Sequence, residues 1–318
     1  MNKRNSITGR SLRACIVFVA AILPLGATAL AKPGDFDQIV AFGDSLMDSG
    51  NAFVYTGQAA TPPFEPVPSA AYAIGGHHFS NGKTWVEVLG QTLGLQVSTG
   101  PSARSPGVFF NYAVGGSRAR MSDRGVSAMY QVQQYLGANS TSPTTLYIFG
   151  FGGNDVRDAL FVGPEDGQLI LADAVGSVVS NLFALCQAGA QHILVPNVAN
   201  IGTTPFAQGL GEPAISGAML VSGFFNASVQ QAISNFLQPL ACPDTTFYTL
   251  DLFSLSTAIF SSPATSGFVS TEACLEFYTT GGAICSNPNQ RFFWDGIHPT
   301  KTGHKIIAAD ALNVLATP

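Results

Sequence analysis

The sequence predicts an α/β fold in which a parallel sheet is covered by helices on both faces. Short apolar, β-branched segments recur along the chain and alternate with longer segments of helical periodicity. This alternation is typical of parallel sheets, because a helix usually carries the chain back from one strand to the next. Hydrophobic residues make up 46% of the chain and charged residues only 10%, which indicates a well-filled core.

The predicted elements follow in a regular order, interrupted by two long loops. A stretch rich in Pro, Gly and Ala over 56–81 predicts a surface loop, and a second loop is expected over 261–291. Long loops on such a scaffold usually shape the binding site. The predicted strands are 38–42, 108–112, 145–149, 192–196 and 246–250, and the predicted helices are 83–93, 127–136, 168–188, 217–237 and 301–315.

The first 31 residues predict an export signal rather than part of the fold. Four basic residues precede an apolar stretch over 15–25, and an Ala-Leu-Ala cleavage site ends at Ala31. The apolar stretch is shorter than the roughly 20 residues that span a bilayer. We therefore expect cleavage after Ala31, one domain over 32–318, and export to the periplasm or out of the cell.

The charge of the mature chain argues against two classes of partner. After removal of the signal, 10 basic and 19 acidic residues remain, which gives a formal charge of −9. No Lys/Arg cluster is present, so binding to nucleic acid and electrostatic docking on anionic lipid are both disfavoured. We expect a small-molecule or lipid partner and no stable membrane insertion.

The four cysteines that remain in the mature chain predict disulfides. An even number in an exported protein is typical of disulfide bonding, and three pairings are possible. We favour Cys274–Cys285, which would close a Gly-rich loop, and Cys186–Cys242 then follows by elimination. Neither pair has C-x-x-C spacing, which argues against a zinc site.

Two motifs at opposite ends of the chain offer the three groups that nucleophilic ester hydrolysis requires. Ser45 follows a predicted strand and a glycine, while Asp295 and His298 lie three residues apart in one Trp/Gly/Pro-rich turn. Each motif alone has a simpler interpretation, since Ser often caps a helix and turns use Asp freely. Their joint presence favours Ser45 as nucleophile, His298 as base and Asp295 as its orienting acid.

Two glycine-rich turns provide candidate donors for an oxyanion. Gly115 and Gly116 follow the second predicted strand, and Asn154 follows the third. Glycine lets a backbone N–H approach a substrate oxygen closely, although both turns are also compatible with simple strand-to-helix connections. In open α/β sheets ligands bind at the carboxyl ends of the strands, so the four turns are expected to lie at one site.

These motifs together resemble the blocks of the GDSL, or SGNH, hydrolase family. The residues that carry the resemblance are Gly43-Asp44-Ser45-Leu46, Gly116, Asn154 and the Asp295/His298 pair. The similarity runs over 36–315 and is strongest to the branch of plant-type GDSL lipases and bacterial secreted lipases and lysophospholipases.

The resemblance implies a three-layer α/β/α, flavodoxin-like fold with a mostly parallel five-stranded sheet. It implies an oxyanion hole made of the Ser45 N–H, the Gly116 N–H and the Asn154 amide, with Gly115 as the alternative backbone donor. It implies a secreted serine esterase or lipase that acts on acyl lipids or small esters without a metal or organic cofactor. The alternatives within the family are a lysophospholipase or phospholipid acyltransferase and a carbohydrate O-acetyl esterase; a catalytically idle binding protein is disfavoured.

Several other polar and aromatic residues have both a functional and a structural interpretation. A cation site could be formed by Asp44, Asp48, Asn51 and Asp155. The favoured interpretation is that these residues cap the following helix and hydrogen-bond the loops at the strand ends. The remaining candidates are His77 and His78, expected at the surface; His192 and His304, expected to be structural; and the pairs Phe109/Phe110 and Phe292/Phe293, either of which could line an acyl pocket.

Overall fold

The computed structural model describes residue 1 and residues 36–56, 77–123, 126–275 and 284–316. At its centre four parallel strands lie side by side in the order in which they occur along the chain. The signal segment with its cleavage site at Ala31 and most of the loop predicted over 56–81 lie outside the described residues. The strands are β1 (Gln38–Gly43), β2 (Thr145–Gly150), β3 (His192–Pro196) and β4 (Thr246–Leu250).

The fifth predicted strand is present as an extended segment beside β1 rather than as a regular strand. The Tyr112 N–H donates to the Ala41 carbonyl at 2.7 Å, and the Ala41 N–H donates to the Phe110 carbonyl at 3.1 Å. Asn111 pairs on its other side with the turn at 100–102, because its N–H donates to Gly100 O at 3.2 Å. The segment therefore fills the fifth, outer position of the sheet, and the α/β prediction is confirmed.

Helices cover both faces of the sheet, and all five predicted helices are present with small changes in their ends. The main difference is that the helix Ala214–Ala232 continues directly into a π-helical segment, Ile233–Ala241. The helices are α1 (Asn51–Thr56), α2 (Trp85–Leu93), α3 (Ala128–Ala138), α4 (Gly153–Leu160), α5 (Pro164–Gln187), α6 (Pro205–Leu210), α7 (Ala214–Ala232), α8 (Leu252–Ser261) and α9 (Lys301–Ala316).

The loop predicted over 261–291 contains short regular structure. A two-stranded parallel pair forms between β5 (Ser270–Ala273) and β6 (Arg291–Phe293), flanked by 3₁₀ turns at Pro263–Ser266 and Pro288–Gln290. Residues 276–283 of this loop lie outside the described part of the chain. The pair places the chain directly before the Asp295/His298 turn in a fixed extended conformation.

The alternation of side chains along the strands divides the core into two halves. On β1, Val40 and Phe42 face the layer formed by α3, α5 and α7, whereas Ile39 and Ala41 face α2 and α9. All four side chains are fully buried, and burial of each large one contributes about 1.5–3 kcal/mol to folding. The result is a three-layer α/β/α arrangement, as the resemblance implied.

Helix α5 has properties that the sequence analysis did not single out. It has 24 residues and a mean hydropathy of 1.9 over its most apolar window, so by length and composition alone it could span a membrane. Its residues Leu171, Val178, Leu182 and Leu185 are buried in the core that includes β2 and β3. One third of its most apolar window is buried, so the helix packs one face on the sheet and leaves the other exposed.

Both expected disulfides are present. Cys186 at the end of α5 is bonded to Cys242, with their Cα atoms 5.8 Å apart. Cys274, after β5, is bonded to Cys285 across a Cα distance of 4.9 Å. The first disulfide ties the α5–α7 layer to the chain entering β4, and the second lies close to the Asp295/His298 turn.

Candidate active site

Ser45 lies in the turn that follows β1, and its backbone is fixed from two sides. The buried Gln131 amide accepts from the Gly43 N–H at 2.9 Å and donates to the Gly43 carbonyl at 2.9 Å. The Asp44 carboxylate accepts from the Leu46 N–H at 3.0 Å and closes the turn. A side chain at position 43 would bring its Cβ within 2.8 Å of the Gly150 carbonyl, so only glycine fits there.

The structure brings Ser45, His298 and Asp295 into one hydrogen-bonded chain. His298 Nε2 lies 2.9 Å from Ser45 Oγ, and His298 Nδ1 lies 2.7 Å from Asp295 Oδ2. A carboxylate accepts, so Nδ1 carries the imidazole proton and Nε2 is oriented to accept the hydroxyl proton of Ser45. Ser45 and His298 are 253 residues apart in the sequence. Together with Asp295 they have the geometry of a nucleophile, a base and an orienting acid.

The Asp295 carboxylate is fully buried and held by its own turn. Its Oδ1 accepts from the Ile297 N–H at 2.9 Å and the His298 N–H at 2.8 Å, which leaves Oδ2 for the imidazole. The Trp294 N–H donates to the His298 carbonyl at 2.7 Å and closes the turn. The spacing of three residues between Asp295 and His298 is therefore what this compact turn requires.

The Cys274–Cys285 disulfide supports this turn directly. The Leu275 N–H donates to the Trp294 carbonyl at 2.7 Å, and the Cys274 N–H donates to the Phe293 carbonyl at 3.2 Å. Cys274, Leu275 and Trp294 also form a small buried apolar cluster against which Cys285 packs. The disulfide thus fixes the residues immediately before Asp295.

The structure distinguishes between the two glycines that could donate to an oxyanion. The Gly115 N–H donates to Asp48 Oδ2 at 2.8 Å and is therefore occupied. Gly116 adopts φ = 79°, a left-handed conformation that favours glycine, and its N–H has no acceptor within the described part of the chain. Gly116 rather than Gly115 is thus able to donate to a substrate.

Asn154 lies at the start of α4 with its side chain oriented by the same loop. Its Nδ2 donates to the Ser117 carbonyl at 2.8 Å, and the second hydrogen of the amide is left for another acceptor. Asn154, Ser45 and His298 line one cleft. Among the described residues the Ser45 N–H likewise has no acceptor.

Arg118 and Asp158, which the sequence analysis did not identify, hold the Gly116 loop from behind. The Arg118 guanidinium donates to the Gly116 carbonyl, and it forms two bonds to the Asp158 carboxylate at 3.0 and 2.9 Å. The neighbouring Asp155 accepts from the Ala119 N–H at 2.8 Å. The only signals in the sequence are an arginine two residues after Gly116 and an aspartate four residues after Asn154 on the same helix.

The carboxylates weighed as a cation site are used in backbone hydrogen bonds. Asp48 Oδ1 accepts from the N–H groups of Gly50 and Asn51 at 2.7 and 2.6 Å, at the start of α1. Burial raises the pKa of Asp48, and it raises the pKa values of Asp44 and Asp155 to about 6 each. The described residues contain no group of three or more His, Cys, Asp or Glu side chains that could hold a metal ion.

The other histidines have structural surroundings, and one prediction about them is wrong. His78 is buried and lies 2.8 Å from the Glu87 carboxylate, whereas the sequence analysis placed it at the surface. His77 is half-buried and stacks on Phe53 with the ring centroids 3.5 Å apart. His304 is fully buried and accepts from the Trp85 N–H at 3.2 Å; burial lowers its pKa to about 3, so it is neutral.

The cleft beside Ser45 has about 840 Å³ of open space, including its mouth. Its polar lining includes Asp44, Asn154, Arg157 and Asn197. The apolar lining comes from Leu46, Met47, Trp85, Phe151, Pro196, Val198, Ala199, Ile201, Phe206, Leu252 and Ile297.

The comparison with protein families gives one match over nearly the whole chain. Residues 39–311 match the sequence model of the GDSL-like Lipase/Acylhydrolase family. The match begins in β1 and ends in α9, so it contains all the site residues described above.

Similar proteins with curated descriptions include plant and bacterial esterases. Acetylajmalan esterase 2 of Rauvolfia serpentina is 26% identical over 92% of this chain and 93% of its own length. Lipase 1 of Photorhabdus luminescens is 27% identical over 61% of this chain, which spans only 27% of that relative. The acetylxylan esterase Axe2 of Geobacillus stearothermophilus is a similar solved structure, with 15% identity, a TM-score of 0.48, and 90% of this chain and 97% of that chain covered.

Proposed function

The chain belongs to the GDSL-like lipase/acylhydrolase family and is a carboxylic ester hydrolase, and we propose that Ser45, His298 and Asp295 are its catalytic residues. The observation that carries the proposal is the hydrogen-bonded chain from Ser45 Oγ through His298 to Asp295, at 2.9 and 2.7 Å. Distances of this size are those expected of a nucleophile and its base.

In the first half of the reaction Ser45 Oγ attacks the ester carbonyl carbon while its proton passes to His298 Nε2. The imidazolium is stabilised by Asp295, which keeps Nδ1 protonated throughout. When the tetrahedral intermediate collapses, the bond to the alcohol oxygen breaks and His298 returns the proton to that oxygen. The product of this half-reaction is the free alcohol and an acyl group esterified to Ser45.

In the second half water replaces the alcohol. His298 Nε2 takes a proton from the water as its oxygen attacks the acyl carbon, and it then protonates Ser45 Oγ as the acid is released. The tetrahedral oxygen of both intermediates would accept from the N–H groups of Ser45 and Gly116 and from the Asn154 amide. Loss of one such donor usually costs about 10²–10³ in rate.

The substrate class that the cleft favours is an ester with an apolar acyl group. Val198, Ile201 and Phe206 contribute hydrocarbon to the lining of the cleft that Ser45 and Asn154 also line. Burial of acyl methylenes there would contribute about 0.8 kcal/mol each to binding. This supports an esterase or lipase acting on acyl chains.

We further propose that the protein is exported after cleavage near Ala31. Two disulfides are consistent with an oxidising compartment, since cytosolic proteins are usually kept reduced. N-terminal sequencing of the protein recovered outside the cytoplasm should begin at Lys32. A chain that retains Met1 and stays in the cytoplasm would contradict this part of the proposal.

The proposed function is tested by hydrolysis of a series of esters from acetyl to palmitoyl, together with a lysophospholipid. We expect turnover that falls at least about 10³-fold in Ser45→Ala, and rates that rise with acyl length because of the apolar lining. Serine-dependent activity limited to acetyl esters would indicate an O-acetyl esterase instead. Equal rates for the enzyme and Ser45→Ala would refute the mechanism.

A further inference from the structure

A second cavity adjoins the catalytic cleft on the side of α8 and α9. It has about 430 Å³ of open space, and it lies between the loop after β3, helix α8, strand β6 and helix α9. Phe292 and Phe293 line it, whereas Phe109 and Phe110 line neither cavity. We name it the inner cavity. Its other lining side chains are Leu46, Ala199, Asn200, Thr203, Thr204, Leu252, Leu255, Ser256, Ile297, Pro299 and Ile307.

The inner cavity and the catalytic cleft share one boundary next to the reacting groups. Leu46 directly follows Ser45, Ile297 directly precedes His298, and both residues line both cavities. Ala199 and Leu252 also line both. The two cavities are therefore neighbours beside the reacting groups, and the side chains of Leu46 and Ile297 lie at the boundary between them.

The hydroxyl groups in the wall of the inner cavity are already hydrogen-bonded within the protein. Thr203 Oγ1 donates to the Asn200 carbonyl at 2.8 Å, Thr204 Oγ1 donates to the Ile201 carbonyl at 2.7 Å, and Ser256 Oγ donates to the Phe253 carbonyl at 3.1 Å. No charged side chain is among the residues that line the cavity.

The Asn200 side chain is likewise used on both of its ends. Its Oδ1 accepts from the Gly202 N–H at 3.0 Å, and its Nδ2 donates to Thr257 Oγ1 at 3.1 Å. A polar ligand group in the cavity would lose its water without gaining a strong partner, which is unfavourable. A hydrocarbon group would have no such loss and would gain burial.

We propose that the inner cavity binds the hydrocarbon end of the ester substrate and thereby sets the preferred chain length. This inference rests on the proposed function, because it takes Ser45 as the site of reaction. The hydrocarbon belongs either to the acyl group or to an alkyl alcohol, and both have the same chemistry for this cavity. Leu255 and Ala199 are the residues whose size would determine how much chain is accepted.

Two substitutions that fill the cavity from different positions test the proposal. Leu255→Trp fills the interior from α8, and Ala199→Leu narrows the boundary with the cleft. The matched control is Leu312→Trp, which enlarges another partly buried leucine of the same core that lines neither cavity. Thermal unfolding of each variant identifies any that fail to fold. If Leu255→Trp does not fold, the result for Ala199→Leu decides the outcome.

Two substrate series identify the source of the hydrocarbon. One varies the acyl chain from acetyl to dodecanoyl on a constant p-nitrophenol, and the other varies the alcohol from ethyl to octyl on acetate. We expect kcat/KM for long chains relative to short chains to fall at least tenfold in both filling variants in one of the series, since each buried methylene contributes about fourfold. The control should leave both ratios within twofold of the parent enzyme.

The substrate series in which the chain-length ratio of kcat/KM falls identifies the group that occupies the inner cavity. A fall in either the acyl series or the alcohol series supports the proposal. Unchanged chain-length ratios in both series for a folded filling variant would overturn it, and so would a uniform loss at every length. Failure of the proposed function gives a different result, in which the parent enzyme and Ser45→Ala hydrolyse the acetyl ester equally.

Discussion

The two sides of the catalytic cleft are built from different interactions. On the side of Ser45 and Gly116, buried charged and amide groups hold the backbone, as in the pair Arg118–Asp158 and the Asp48 carboxylate at Gly115. Elsewhere in the cleft, Val198 and Phe206 belong to a lining that is mostly apolar. We infer that directional contacts fix the reacting groups, whereas non-directional burial selects the substrate.

The comparison predicts that changes on the polar side reduce kcat, and the largest effect is expected at Asp295. Asp295→Asn keeps the size of the side chain but favours the wrong imidazole tautomer, so kcat should fall about 10⁴-fold. Steady-state kinetics on a short acyl ester measures the effect. A matched control is Asp244→Asn, which changes an exposed carboxylate in the turn before β4 and should leave kcat within about threefold.

The second prediction concerns Arg118 as a positioning residue. Arg118→Lys cannot hold the Gly116 carbonyl and both Asp158 oxygens together, so kcat should fall about 10²-fold with little change in KM. Arg120→Lys is the control, because Arg120 binds the same Asp158 at 2.5 Å but has no described contact with Gly116. A rise in KM with an unchanged kcat for Arg118→Lys would place Arg118 in substrate binding instead.

The third prediction concerns Asp44 on the polar side and the pH dependence of the free energy of unfolding. Burial raises the pKa of Asp44 from 3.8 to about 6, so ionisation of this group disfavours the folded state. The stability that the protonated Asp44 carboxyl contributes to the folded state is fully present below pH 3.8. It is lost as the pH rises through about 6. Asp44→Asn should therefore increase the free energy of unfolding by about 3 kcal/mol at pH 8 and by much less at pH 4.

Chemical denaturation at the two pH values measures this difference. The exposed Asp173→Asn on α5 is the control and should show no such change between pH 4 and pH 8. If Asp44→Asn lowers stability more at pH 8 than at pH 4, the carboxylate is stabilising when ionised and the assignment of burial as the dominant cause is wrong.

The smallest predicted effect lies on the apolar side. Phe206→Ala removes part of the apolar lining, so KM for a long acyl ester should rise about tenfold while kcat changes little. Phe161→Ala serves as the control, because Phe161 contacts Phe206 with ring centroids 6.0 Å apart but does not line the cleft. A large fall in kcat for Phe206→Ala would show that this lining also orients the reacting groups.

The two sides also differed in how far the sequence predicted them. The motifs that predict site residues are short and local: Ser45 and Asn154 each follow a strand of the main sheet, whereas Asp295 and His298 share one turn after β6. The family resemblance favoured Gly116 over Gly115, but the physical reason could not be predicted, because it depends on the Asp48 carboxylate, 67 residues before Gly115 in the sequence.

Other features could not be predicted because they depend on tertiary contacts. The role of Arg118 arises from a backbone carbonyl, which carries no signal in the sequence. The inner cavity is lined from α8, β6 and α9 together, and no single segment specifies it. The fifth strand was predicted in position, but the pairing of Asn111 with Gly100 was not.

The central claim is that Ser45 carries the acyl group, and covalent labelling tests it most directly. The folded enzyme is treated with a fluorophosphonate, digested, and analysed by mass spectrometry, with Ser45→Ala as the control. We predict one adduct per chain, located on Ser45, and slower labelling of Ser45 in Asp295→Asn. An adduct on a different residue that persists in Ser45→Ala, or no adduct on an enzyme that is active on esters, would contradict the account.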